Sequence, residues 1–189
     1  MTKTTAKRGS KSVAEPAASD SKPKATARSP SAEARPPLRP GEPVPAFEAA
    51  ATGGRTVSPK SLAGRPYVLY FYPKDNTPGC TTESADFAAR HEDFERLGVE
   101  VLGVSRDSLA SHEKFKQKLG LPFDLIADTE ESLCRLFDVI REKSLYGRKF
   151  LGVERSTFLV DGAGILIREW RKVRVNGHVE NVLEAARSL

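Results

Sequence analysis

Tyr67-Val68-Leu69-Tyr70-Phe71-Tyr72, followed by Pro73-Lys74-Asp75-Asn76-Thr77-Pro78-Gly79-Cys80-Thr81-Thr82-Glu83, is the stretch that decides the fold of this 189-residue chain. Six consecutive apolar and aromatic residues have the length of a central strand buried on both faces. Pro73 stops the strand, because proline cannot donate to a sheet ladder. Pro78 then stands where a helix tolerates proline, in its first turn. The spacing predicts one helical stretch from Pro78 to Leu97, with Phe87, His91, Phe94 and Leu97 sharing a face and Gly98 as its stop. Cys80 therefore falls in the first turn of a helix, where backbone N–H groups lack partners and the helix dipole favours an anion.

Outward from this stretch the pattern alternates. Toward the N-terminus, Phe47 to Ala51, a Gly53-Gly54 turn and Thr56 to Ser58 read as a short hairpin. Toward the C-terminus, Val99 to Val104 is a second buried strand, and a helix from about Leu109 to Leu119 ends at Gly120. Phe123 to Ala127 is a third strand. Asp128 or Thr129 caps a helix over Glu130 to Phe137, with Glu131 placed to complete a capping box on Asp128. Ser156 to Val160, an Asp161-Gly162-Ala163-Gly164 turn and Ile165 to Trp170 form a hairpin before a closing helix from Val179 to Leu189. Strands alternating with helices and then a terminal hairpin and helix predict an α/β domain, a mixed central sheet flanked by helices. This order resembles a thioredoxin-like fold with an N-terminal hairpin extension.

Charge and composition separate a tail from this domain. Residues 1–40 carry a net charge of +6 and the remainder −1, so the overall +5 describes the tail. Residues 1–45 hold eight of the thirteen prolines, no aromatic residue, and only Val13, Leu38 and Val44 as large aliphatics. Too little can be buried to offset the entropy of ordering, so this segment reads as a disordered tail with a stiffer linker from Arg35 to Pro45, leaving 46–189 as the domain. The tail admits two functional readings, a weak polyanion-binding arm or an organelle transit peptide, beside the plainer one of a solubilising extension. Nucleic acid is otherwise not an expected partner. Two cysteines, Cys80 and Cys134, cannot build a disulfide framework, which points to a reducing compartment, the cytoplasm. His91, His112 and His178 are too dispersed for the usual zinc spacings, and no run of about 18 apolar residues suggests a membrane span.

Cys80 carries the chemistry. A free thiol has a pKa of about 8.5, and a helix terminus contributes only about 0.3–1 kcal/mol. A reactive cysteine at this position therefore needs a fixed cation as well. Thr77 can donate its hydroxyl to the sulfur or to a bound oxygen, and Pro73 walls off one side. The plainer alternative is a small buried hydrophobe, which has no use for a Pro-Gly approach and a Thr-Thr-Glu exit. Glu83 occupies the place of the second thiol in a Cys-x-x-Cys exchanger, which excludes that mechanism.

These residues resemble a known family. Pro73, Thr77 and Cys80 match the Pro-x-x-x-Thr-x-x-Cys signature of the peroxiredoxins, and the longer Tyr-Pro-Lys-Asp-x-Thr-Pro-Gly-Cys-Thr string is similar to the Q type, also called bacterioferritin comigratory protein. The likeness runs from about Pro45 to the C-terminus. Arg155-Ser156-Thr157-Phe158-Leu159-Val160-Asp161 matches a second landmark of that family, which implies that Arg155 supplies the missing cation; composition alone does not choose it over Arg141, Arg148 or Arg168. Glu83 matches a carboxylate that orients the arginine, beside the simpler reading of an acid complementing the helix dipole. The implied activity is thiol-dependent reduction of hydroperoxides at Cys80, with no cofactor consumed, in a monomer.

The chain departs from the family in one respect. Many Q-type members place a resolving cysteine five residues after the peroxidatic one, and here that position is Ala85. Cys134 remains as a possible resolving thiol, although its place beside Leu133, Leu136 and Phe137 reads as a partly buried helix residue. The expectation is a one-cysteine cycle completed by thioredoxin, glutaredoxin or a low-molecular-weight thiol. A different class of function, a redox-inactive binding module with a polyanion-binding tail, is the alternative.

Overall fold

The computed structural model describes residues 37–189. The expected disorder of residues 1–36 falls outside them. Within the described chain, strands β1 (Ala49–Ala51) and β2 (Arg55–Val57) form the predicted N-terminal hairpin around a turn at Thr52–Gly54. The Tyr67–Tyr72 run forms β3 (Tyr67–Phe71), every residue of which is buried. Then follow α1 (Pro78–Ala89), α2 (His91–Arg96), β4 (Glu100–Ser105), α3 (Leu109–Leu119), β5 (Asp124–Ala127), α4 (Ser132–Leu136), β6 (Ile140–Leu145), β7 (Arg148–Val153), β8 (Ser156–Val160), β9 (Leu166–Trp170) and α5 (His178–Ala186).

One seven-stranded sheet runs in the order β2-β1-β5-β4-β3-β8-β9. β3, β4 and β5 are parallel, joined by helical crossovers, while β8 pairs antiparallel with β3, from Tyr67 opposite Val160 to Phe71 opposite Ser156. The sheet is mixed and flanked by helices, as the alternation predicts. Alternate β3 side chains feed two cores. Val68, Tyr70 and Tyr72 pack with Cys80, Phe87, Phe94, Phe115 and the apolar face of α5, whereas Tyr67, Leu69 and Phe71 pack with Leu133, Cys134, Phe137 and the N-terminal segment.

Four expectations need correction. The Arg35–Pro45 linker is not a spacer over its described residues: Gly41 N–H donates to the Leu166 carbonyl at 2.7 Å, Leu166 N–H to Glu42 at 2.9 Å and Val44 N–H to Gly164 at 2.9 Å, with Leu38 and Val44 buried. Two of the three large aliphatics of the first 45 residues thus sit within a nine-residue strap along β9, a concentration that an average over the whole segment conceals. The Pro78–Leu97 helix is two helices, broken at Arg90 (φ −106°, ψ 6°), so Phe87 and Phe94 are buried while Leu97 is 38% exposed. No capping box forms at Glu131, which takes a left-handed backbone (φ 58°) and pairs with Arg106 and Arg135. Instead the Asp128 carboxylate accepts from the Leu133 and Cys134 N–H groups at 3.0 and 2.7 Å, and the helix starts at Ser132. Finally, the β6–β7 hairpin was not expected: Arg141, Lys143, Arg148 and Lys149 interrupt its apolar residues without a regular alternation, which masks the strand pattern.

Tyr70 and Gly103 lock α1 onto the sheet. The Tyr70 ring stacks on Phe87 with centroids 4.5 Å apart, and its hydroxyl shares a 3.0 Å hydrogen bond with Ser84 Oγ on α1. Gly103, beside Tyr70 on β4, has no room for a methyl group: a Cβ there lies 2.7 Å from Leu125 Cδ2 and from the Tyr70 ring and hydroxyl. Gly103→Ala is therefore expected to lower stability by about 1–3 kcal/mol through overpacking. A urea melt with an unchanged midpoint contradicts this packing.

Candidate active site

β3 delivers the chain to one end of the sheet, and residues 73–77 turn it into α1. Pro78 is the first residue of that helix, and the Thr81 N–H closes its first bond onto the Thr77 carbonyl at 2.9 Å. Gly79 and Cys80 thus lie in the turn whose N–H groups have no intrahelical acceptor. Cys80 is buried against Val68, Tyr70 and Phe87.

Arg155 reaches this turn from the residue before β8. Strand pairing of β8 with β3 brings it there, although 75 residues separate it from Cys80. One guanidinium nitrogen, Nη2, lies 3.3 Å from Cys80 Sγ, and Nη1 bonds Glu83 Oε2. Among the four candidate arginines, Arg141 pairs instead with Asp138 at 2.7 Å and Arg168 lies over the Trp170 ring. Arg148 is exposed on the β6–β7 hairpin. Gly79 is part of the same geometry, since a Cβ there lies 3.2 Å from Arg155 Nη2. The glycine of the Pro-Gly approach thus keeps the guanidinium's side of the turn uncrowded.

Glu83 is fully buried on the first turns of α1, with Oε1 unpartnered. Burial pushes its carboxyl up to about 7, against the attraction of Arg155. For Arg155, burial lowers the pKa, but Glu83 and the Cys80 sulfur outweigh it and hold the guanidinium above its ordinary value. Thr77 does not donate to the sulfur: its hydroxyl donates to the Lys74 carbonyl at 2.9 Å, which leaves the oxygen lone pairs as acceptors. Pro73 is half-buried at the end of β3. Lys143, which sequence reasoning missed, extends from β6 to donate to the Val153 carbonyl at 2.6 Å, and burial together with Arg155 depresses its pKa.

Cys134 belongs to a different place. It is buried in the core on the opposite face of the sheet from Cys80, among Leu133, Phe137 and Val139. Burial raises the pKa of its thiol, with the Asp128 carboxylate adding to the effect. Both cysteines are free.

Residues 40–169 match the AhpC/TSA family. The chain belongs to that family. It is 50% identical over 137 residues to peroxiredoxin Bcp of Xanthomonas campestris pv. campestris, covering 72% of this chain and 86% of the relative. It is 47% identical over 149 residues to peroxiredoxin Bcp of Bacillus subtilis, covering 79% and 95%. A solved structure of the Xanthomonas campestris bacterioferritin comigratory protein superimposes with a TM-score of 0.72 at 48% identity, covering 75% of this chain and 90% of that one. The fold is therefore that of the thioredoxin-like peroxiredoxins, and this peroxiredoxin is a thiol-dependent peroxidase; the alternative of a redox-inactive binding module is set aside.

The buried Glu83 makes a pH prediction. Its folded-state pKa of about 7 exceeds the ordinary 4.5, so between those values the folded peroxiredoxin binds more protons than the unfolded chain. The contribution to stability is complete below about 4.5 and lost as pH rises through about 7. Thermal melts across this window should show wild-type stability declining more steeply with pH than that of Glu83→Gln. Parallel curves for the two proteins contradict the assignment.

Proposed function

We propose that Cys80 is the nucleophile of a one-cysteine peroxidase cycle in which an external thiol restores it. The observation that carries this reading is the 3.3 Å contact between the Arg155 guanidinium and Sγ at a helix N-terminus, which favours negative charge on sulfur. In the first step Sγ attacks the terminal oxygen of a hydroperoxide. An S–O bond forms, the O–O bond breaks, and its electron pair leaves with the other peroxide oxygen, the one bearing the substituent, which takes up a proton to become water or an alcohol. Sulfur is oxidised to a sulfenic acid. Arg155 and the first-turn amides stabilise charge as it moves from sulfur to the departing oxygen, and the Thr77 hydroxyl oxygen accepts the hydroperoxide O–H. Pro73 shields the loop from water. Glu83 holds the guanidinium in register by its bond to Nη1.

In the second step an external thiol attacks the sulfenic sulfur, releasing water and forming a mixed disulfide. A further thiol attacks that disulfide and returns Cys80 as thiolate. Placement of Cys134 across the sheet, with its thiol kept protonated by burial, supports an external resolving partner. Thioredoxin, glutaredoxin or a low-molecular-weight thiol fills this role. Organic hydroperoxides join hydrogen peroxide as substrates, in keeping with the solved Xanthomonas campestris relative, whose structures concern alkyl peroxide reduction. We further propose that the protein works as a monomer in the cytoplasm: the site is assembled from one chain, and the two unpaired thiols suit a reducing compartment.

Single-turnover peroxide consumption tests this cycle. Cys80→Ser should lose the reaction, while Cys134→Ser should keep the wild-type rate constant within about twofold, since a buried structural thiol takes no part in the chemistry. Intact mass after one equivalent of peroxide should show the gain of one oxygen. Loss of two hydrogens, signalling a Cys80–Cys134 disulfide, contradicts the proposal.

A further inference from the structure

Asp75 lies at the centre of the loop that joins β3 to Cys80, yet nothing in the chemistry above uses it. Its carboxylate is buried and receives three side chains. Tyr72 Oη donates to Oδ1 at 2.8 Å, Ser111 Oγ donates to Oδ2 at 2.7 Å, and His112 Nδ1 lies 3.1 and 3.0 Å from the two oxygens. Its main chain is held as well: the Asp75 N–H donates to Asp107 Oδ2 at 2.8 Å. Burial by itself would raise the carboxyl pKa, but the bonds from His112, Ser111 and Tyr72 and the His112 charge hold it below the ordinary value.

His112 completes the clamp. Its ring is fully buried, and Nε2 faces the Ile126 carbonyl at 3.1 Å. A carbonyl only accepts, so Nε2 carries a proton, and a second proton lies between Nδ1 and the Asp75 carboxylate. The pair is thereby neutral as a unit and tied to β5 through Ile126. Other bonds serve the same loop: Asn76, in a left-handed conformation (φ 59°), takes Lys118 Nζ at 3.0 Å, and the Thr77 hydroxyl closes back onto Lys74. Ser111, His112 and Lys118 all belong to α3, so one helix holds the five-residue loop with three side chains, at Asp75 and Asn76.

We propose that Asp75, clamped by His112, Ser111 and Tyr72, is a positioning residue that fixes the 73–77 loop so that Thr77 and the first-turn amides of α1 meet a hydroperoxide in one geometry with Arg155. The inference rests on the proposed roles of Cys80 and Thr77. A buried acid with its own buried counter-ion is an expensive way to close a turn, because removing either partner strands the other. It makes physical sense where the turn must not shift: a misplacement of about 1 Å in a reacting constellation can cost about 100-fold in rate.

Two rate constants separate positioning from simple support of the fold. Reaction of Cys80 with hydrogen peroxide needs the sulfur, Thr77 and the amides aligned. Alkylation by iodoacetamide needs the ionised sulfur but no such alignment. Asp75→Asn should lower the peroxide rate constant by at least about tenfold, while alkylation stays within about twofold. Ser111→Ala and Tyr72→Phe, which each delete one donor and leave the ion pair in place, should lower the peroxide rate constant by about threefold and decide the matter if Asp75→Asn does not fold. Unchanged peroxide rates in the folded variants overturn the inference, as does a parallel fall of both rates. A wild type that does not reduce hydrogen peroxide overturns the peroxidase cycle and this inference together, whereas an active wild type with indifferent variants overturns this inference alone.

Discussion

A guanidinium held against a sulfur atom is the contact on which the proposed chemistry depends. Arg155 lies 3.3 Å from Cys80 Sγ and bonds Glu83 with its other arm, so its plane is fixed by two partners on one helix. A helix N-terminus supplies only a fraction of the stabilisation a thiolate needs. A hydrogen bond to a charged group adds about 1.5–3 kcal/mol, and in a site sheltered from water that term is not screened away. The proposed reaction therefore requires the fold to bring the sulfur and the cation together.

Much of the architecture serves that meeting. β3 is buried along its whole length and fixes where α1 begins, while the antiparallel pairing of β8 with β3 sets Arg155 beside the same turn. Gly79 leaves the space through which the guanidinium approaches, and the Tyr70–Ser84 and Tyr70–Phe87 contacts hold α1 to the sheet beneath it. The loop between strand and helix is braced from α3. The same layering sets the second cysteine apart, because the sheet stands between the core around Cys80 and the one around Cys134.

What the sequence could disclose follows the range of the interactions. The Tyr67–Tyr72 strand, Pro78 at a helix start and Cys80 in the first turn depend on neighbours a few residues away, so pattern and spacing sufficed. Arg155 depends on the pairing of strands far apart in the chain; its residue type was required by the electrostatics, but its position came only from family resemblance. The Asp75–His112 pair spans 37 positions and joins two residues that look unremarkable in isolation, so nothing local marked it. The β6–β7 hairpin hid because charged residues interrupt its apolar ones, two of which, Phe150 and Leu151, face outward, so no regular alternation marks the strands. The strap at residues 37–45 hid for the opposite reason, its two buried aliphatics being diluted by a proline-rich stretch. Thr77 was chosen by its type and place, but that its hydroxyl turns to the Lys74 carbonyl and not to the sulfur required coordinates.

The most direct test of the account is the rate of Cys80 alkylation by iodoacetamide at neutral pH, compared between wild type and an Arg155→Met, Glu83→Gln double variant that leaves no buried carboxylate uncompensated. With a charge-assisted bond of about 1.5–3 kcal/mol removed, alkylation should slow by about 10- to 100-fold. Equal rates in the two folded proteins would show that the sulfur owes nothing to the guanidinium beside it, and would contradict the account at its centre.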